Sequence, residues 1–170
     1  STPIKSSAAS DVYKRQEGIC AYFVAGATTG HSTIMSLLLP GTTLCDMTSS
    51  VGRRCNVETR AVQASRVWCT APDFYERHVF TNPELAVEKY QHAVGKQEAT
   101  LEGMIANFTL PPEQRVKILL KAVLLHEHAG IGSDWMRIPY DLPAEVIGQT
   151  VNLTRQTVAQ TIGDLSLIHI

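Results

Sequence analysis

The chain reads as an α+β protein in three parts: an N-terminal antiparallel β-roll, one long helix and a C-terminal helix-turn-helix. Three observations predict this. Up to Ala71 the apolar residues come in short bursts punctuated by Gly and Pro, as strands joined by turns do. Between Asn82 and Phe108 they recur instead at alternating three- and four-residue steps. From Leu142 to Asp164 two short helical patterns flank a turn.

The strand-like bursts fall at 19–24, 34–39, 57–62 and 67–69, and Gly26-Ala-Thr-Thr-Gly30, Pro40-Gly41 and Val51-Gly52 supply the turns. Residues 72–79 are read as a short helix. Asn82-Pro83-Glu84-Leu85 then opens the long one, with Asn82 as its cap. Within it Val87, Tyr90, Val94, Gln97, Leu101, Met104 and Phe108 form a coiled-coil seam in which only Gln97 is polar. A single polar seam residue fixes register and partner number, so the pattern predicts a two-stranded homodimer. A helix lying on its own roll is the alternative. Gly95 and Gly103 weaken the helix by about 1 kcal/mol each.

Leu110-Pro-Pro112 breaks the pattern, and Pro112 starts an amphipathic helix with Val116, Leu119, Leu120, Val123 and Leu124 on its buried side. Residues 135–140 are expected to be a short edge strand, since Pro139 is tolerated only at an edge. Pro143 suits the first turn of the next helix, whose apolar face carries Val146, Ile147 and Val151. Asn152 makes the turn. Thr154 caps the second helix, Val158 and Ile162 lie behind it, and Arg155, Gln156 and Gln160 point outward. The expected division is a β-roll at 17–81, a dimerisation helix at 82–109 and a helix-turn-helix domain at 110–164.

The two ends carry a different signal. The transposon-end codons GAT-GTG-TAT-AAG-AGA-CAG translate as Asp11-Val-Tyr-Lys-Arg-Gln16, and their reverse complement gives Leu165-Ser-Leu-Ile-His-Ile170. The adapter upstream gives Ser6-Ser-Ala-Ala-Ser10. Residues 1–16 and 165–170 are therefore expected to be adapter-derived and outside the fold, with roll and helix-turn-helix both truncated. Of 15 basic and 16 acidic residues, Lys5, Lys14, Arg15 and Asp11 fall in those ends, which leaves 12 and 15 and a net charge of about −3. Such a balance gives no global attraction to nucleic acid, so any DNA binding has to be local. No apolar run approaches the roughly 20 residues that cross a bilayer, so no membrane partner is expected and a cytoplasmic location is the default.

Cys20, Cys45, Cys55 and Cys69 lie at intervals of 25, 10 and 14, which match no ligating motif, and buried free thiols are expected. A cluster or redox role stays open. His126 and His128 lie on different sides of a helix and are read as a solvated helix end. No metal site and no cofactor is expected.

Roll, long helix, connecting helix and helix-turn-helix together resemble the Crp/Fnr family of bacterial transcription regulators across residues 17–164. Ile147-Gly-Gln149 followed by Thr154-Arg-Gln-Thr-Val158 is similar to that family's Ser/Thr-Arg-Glu-Thr-Val recognition motif. Pro40-Gly41 resembles its turn before the effector loop, and Asn82-Pro-Glu-Leu85 sits where its dimer helix begins. The resemblance implies a cyclic-nucleotide-binding-like sensor domain, a winged form of the helix-turn-helix and an effector-responsive, dimeric, sequence-specific DNA-binding regulator. Its partners would be double-stranded DNA, a second copy and RNA polymerase. Arg155, Gln156 and Gln160 are carried over as base readers, Arg toward guanine and Gln toward adenine. Thr154 and Thr157 are carried over as phosphate contacts, with local packing an equal alternative for Thr157.

Gln156 and Gln160 replace the Glu and Arg of many relatives, which implies an altered half-site. The effector loop departs further, because Cys45-Asp46 and Cys55-Asn56 stand where cyclic-nucleotide binders carry Gly-Glu and Arg-Ser. Arg53 or Arg54 is close enough in sequence to supply the missing phosphate fork, but cyclic AMP is not the expected effector. Another small molecule, a redox signal or no ligand stay open; Asp46 as a plain loop residue and Arg53-Arg54 as a solvated turn are the alternatives. Two other functions compete. A ligand- or partner-binding roll with a degenerate helix-turn-helix is one. A cupin-like metal enzyme is the other, though only His31 lies among the strands.

Overall fold

The computed structural model describes residues 12–25, 32–46, 57–127 and 136–167. Among the described residues six strands come first: β1 Val12–Glu17, β2 Cys20–Ala25, β3 Ser32–Leu38, β4 Thr43–Leu44, β5 Glu58–Ala61 and β6 Arg66–Thr70. They form two three-stranded sheets, ordered β4-β1-β6 and β3-β2-β5. β1 runs antiparallel to both neighbours, with Tyr13 opposite Leu44 on one side and Cys69 on the other. β2 pairs antiparallel with β5 from Cys20 opposite Ala61 to Phe23 opposite Glu58. Five described helices follow: α1 Pro72–Thr81, α2 Pro83–Thr109, α3 Pro112–Glu127, α4 Ala144–Val151 and α5 Arg155–Leu167.

The strand-like bursts correspond to β2, β3, β5 and β6. Gly18 at φ +80 turns β1 into β2, and a Cβ there would run into the Ala64 carbonyl, so only glycine fits. Gly41, at φ +82, makes the Pro40-Gly41 turn, closed by the Thr42 amide donating to the Leu39 carbonyl at 3.2 Å. Asn82 caps α2 as expected: its Oδ1 accepts from the Glu84 and Leu85 amides at 3.0 and 3.3 Å.

By contact density the chain divides into two compact units, Ser1–Phe23 with Leu37–Thr100 and Val24–Ser36 with Leu101–Ile170. In the first, Cys20, Leu38, Leu44 and Cys45 form a buried cluster against which Tyr22, Ala61 and Val67 pack. In the second, Val116 of α3, Ile147 and Val151 of α4 and Val158 of α5 are buried together, flanked by Leu119, Leu120, Leu142 and Leu153. Burial of each such side chain is worth about 1.5–3 kcal/mol, and this cluster fixes the three helices on one another.

Several expectations are corrected. Residues 12–16, set aside as adapter-derived, form the central strand of a sheet. Residues 165–167 likewise continue α5. Their backbone groups find ladder and helix partners irrespective of where the codons came from. Residues 136–140 form no strand, because Pro139 lacks a donor and no described strand runs beside them. Pro143 stands one position earlier than expected, as the N-cap of α4. Cys20 and Cys45 are buried and in no disulfide, but Cys69, on the sheet's edge strand β6, is exposed. Ile162 is 38% exposed, and Thr161 takes the buried place in α5, because the buried face steps three residues on from Val158, not four. His31, Cys55 and His128 lie outside the described residues.

Candidate functional site

The turn between α4 and α5 is built by three residues. Asn152 takes the left-handed conformation, φ 55 and ψ 50, which Asn tolerates better than any residue but Gly. Its amide and that of Leu153 both return to the Gly148 carbonyl, the latter at 2.9 Å, a Schellman closure of α4. Gly148 permits this approach, for a Cβ there would lie 2.6 Å from the Leu153 carbonyl oxygen. Thr154 then caps α5 as expected. Its Oγ1 accepts from the Thr157 amide at 3.1 Å and meets the Thr157 hydroxyl at 2.8 Å.

With both ends of the turn fixed, the faces of α5 are decided. Val158, in the cluster, and Thr161 are buried, while Arg155, Gln156 and Gln160 are exposed and Thr157 is half-buried. The five residues expected to meet DNA therefore lie on the first turn and a half of one helix. They offer a guanidinium, two carboxamides and two hydroxyls, a set that matches base edges and phosphates. The Thr157 hydroxyl is engaged locally by the cap, as in the alternative given for it.

The long helix α2 carries the expected seam outward. Val87, Tyr90, Val94, Leu101 and Met104 are all exposed, Phe108 is 81% exposed, and Gln97 is exposed between them. Ile105 widens the stripe. At the far end of the helix Asn107 donates from Nδ2 to the Thr150 carbonyl at 3.0 Å, satisfying one of the orphan carbonyls of the last turn of α4. Sequence reading did not find this contact. Nothing in the spacing of Asn107 and Thr150 signals it.

Of the effector-loop residues, Arg53, Arg54, Cys55 and Asn56 lie outside the described residues. Cys45 and Asp46 are buried. Cys45 adopts a positive φ of 60, and its amide donates to the Tyr22 hydroxyl at 3.2 Å. Asp46 is no plain loop residue: its side chain is 1% exposed and paired with two lysines of α2. Lys89 donates to Oδ2, Lys96 to Oδ1 at 2.5 Å, and the Thr43 hydroxyl to Oδ2 at 2.5 Å. Burial by itself would push the Asp46 carboxyl up. The Lys96 charge and the hydrogen bonds from Lys89, Lys96 and Thr43 outweigh it and hold the group below its usual 3.8. Burial pulls Lys89 below its usual range, against the hydrogen bond and charge of Asp46, and Lys96 nearby adds to the effect. Burial, with the charges of Asp46 and Glu88, pushes Tyr75 up to about 12.

Among the described residues no group of three His, Cys, Asp or Glu side chains is placed to hold a metal, and no helix is long and apolar enough to cross a membrane.

The architecture is shared with solved structures. FixK2 from Bradyrhizobium japonicum superposes with a TM-score of 0.80 at 18% identity, covering 99% of this chain and 82% of that one. TTHB099 from Thermus thermophilus, described as a transcriptional regulator of the CRP family, gives 0.72 at 15% identity over 97% and 80%. TTHA1359 from the same organism, described as a CRP/FNR-family transcriptional regulator, gives 0.69 at 16% over 99% and 81%. At these identities the likeness is one of fold. No protein-family model and no curated protein matches the chain by sequence.

Proposed function

We propose that the chain is a dimeric, sequence-specific DNA-binding transcription regulator of the Crp/Fnr type, in which α5 enters the major groove. The polar face of α5, presented by a capped turn on a fold shared with transcriptional regulators, carries the reading. Residues 17–81, with β1 entering from Val12, are the sensor roll, 82–109 the dimerisation helix and 110–164, with α5 running on to Leu167, the reading domain. Arg155 reads guanine through O6 and N7, Gln156 and Gln160 favour adenine, and Thr154 and Thr157 hold phosphates. Two copies joined along Val87, Tyr90, Val94, Gln97, Leu101, Met104 and Phe108 would read an inverted repeat with half-sites about one helical turn, roughly 34–36 Å, apart. RNA polymerase is the partner such a regulator acts upon, and the role calls for no enzymatic chemistry.

Selection of binding sites from randomised duplexes tests this. The wild-type chain should enrich an inverted repeat, and Arg155→Ala should cost about 1–3 kcal/mol and relax one base preference. Enrichment of no sequence would leave a ligand- or partner-binding roll as the reading. Unchanged selectivity in Arg155→Ala would remove that residue from the base readers.

A further inference from the structure

Lys89 and Lys96 stand two turns apart on α2, about 10 Å along the axis, yet both ammonium groups converge on the single carboxylate of Asp46. One lysine would neutralise Asp46. The second puts two cations on one anion in a place where Asp46 is almost wholly buried and neither lysine is more than 21% exposed. Lys96 takes part of its compensation from the Thr43 carbonyl and hydroxyl, each at 3.3 Å. Lys89 lies over the Tyr75 ring at 5.4 Å and lines a cleft of about 300 Å³ between α1 and α2, together with Tyr75, Phe80 and Tyr90. The cleft gives a small molecule an approach to the lysine end of the cluster.

A buried lysine pair is stable only while an anion faces it, because an unpaired buried charge is costly. Exchange of one anion for another keeps the lysines paired throughout, so the site can open without orphaning them. We propose that Lys89 and Lys96 form an anion site on α2 that Asp46 fills as a built-in ligand. A small anionic effector binds by displacing the Asp46 carboxylate, which releases residues 43–46 from the helix. That the released segment is the inducing signal rests on the regulator reading above; the anion site itself does not.

The test uses inorganic phosphate on the 170-residue chain, against sodium chloride of equal ionic strength. In Asp46→Asn the lysines lose their resident anion, so phosphate should raise the unfolding midpoint saturably. Adding Lys89→Met and Lys96→Met should abolish the rise. In the wild type, saturating phosphate should speed amide exchange at residues 43–46 about tenfold relative to chloride, as the tether is displaced. A midpoint in Asp46→Asn that follows ionic strength alone would overturn the proposal. If that variant does not fold, wild-type exchange decides, and rates indifferent to phosphate would overturn it. DNA binding measured in parallel separates the two readings: a phosphate response without DNA affinity sustains the anion site and removes the regulator.

Discussion

Asp46 ionises against the pull of its own burial because Lys96 and Lys89 and the Thr43 hydroxyl converge on it. A carboxyl whose folded-state pKa lies below the usual 3.8 adds stability that is complete above that value and lost as pH falls through the folded pKa. Acid titration of the wild-type chain should therefore show an unfolding limb below about pH 4 that is reduced in Asp46→Asn. A limb of equal size in both would show that Asp46 contributes nothing to it. From sequence, Asp46 was legible only as a candidate effector contact by resemblance, or a loop residue. Its partners lie 43 and 50 residues away, and the seven-residue spacing of Lys89 and Lys96 says only that they share a helix face.

At the scale of elements, the glycines of the helices differ by what surrounds them. Gly95 and Gly103 have open space where a Cβ would go, so Gly95→Ala and Gly103→Ala should each stabilise the chain by about 0.5–1 kcal/mol in urea denaturation. Gly148→Ala should instead destabilise it by about 1–3 kcal/mol, since the Leu153 carbonyl is 2.6 Å away and neither backbone nor turn can give freely. A stabilising Gly148→Ala would mean that the turn closes more loosely. The two helices and the turn of this region were legible because local rules dictate them: an Asn at the turn, a Thr cap and apolar steps of three and four. Ile162 was misplaced because a three-step and a four-step continuation look alike until α5 has packed its Val158–Thr161 face. The edge strand expected at 135–140 is absent over the described residues 136–140 for a similar reason, as a strand needs a neighbour that no local pattern supplies.

For the whole molecule, the seam on α2 leaves six large apolar side chains exposed along one helix, more apolar surface than a single copy has reason to show. If two copies cover it, Leu101→Glu should shift the chain from dimer to monomer in sedimentation equilibrium. It should also weaken binding to an inverted repeat far more than to a single half-site. A wild-type chain that sediments as a monomer would assign the stripe to another role. The order of strands, long helix and paired short helices was visible in the sequence. Which strands pair was not: β1 joins β4 and β6 across stretches of 25 residues or more, and it includes residues that codon identity had set aside.

The sequence by itself determined the α+β composition, the span of α2 and the apolar stripe along it, the capped turn and the identity of the exposed polar residues on α5. These follow from periodicity, capping and backbone preference, which act over a few residues. Only the tertiary structure decided the sheet order, the joining of Asn107 to Thr150 and the burial of Asp46 between two lysines. Each is a long-range encounter, set by how packed elements meet rather than by any rule acting along the chain.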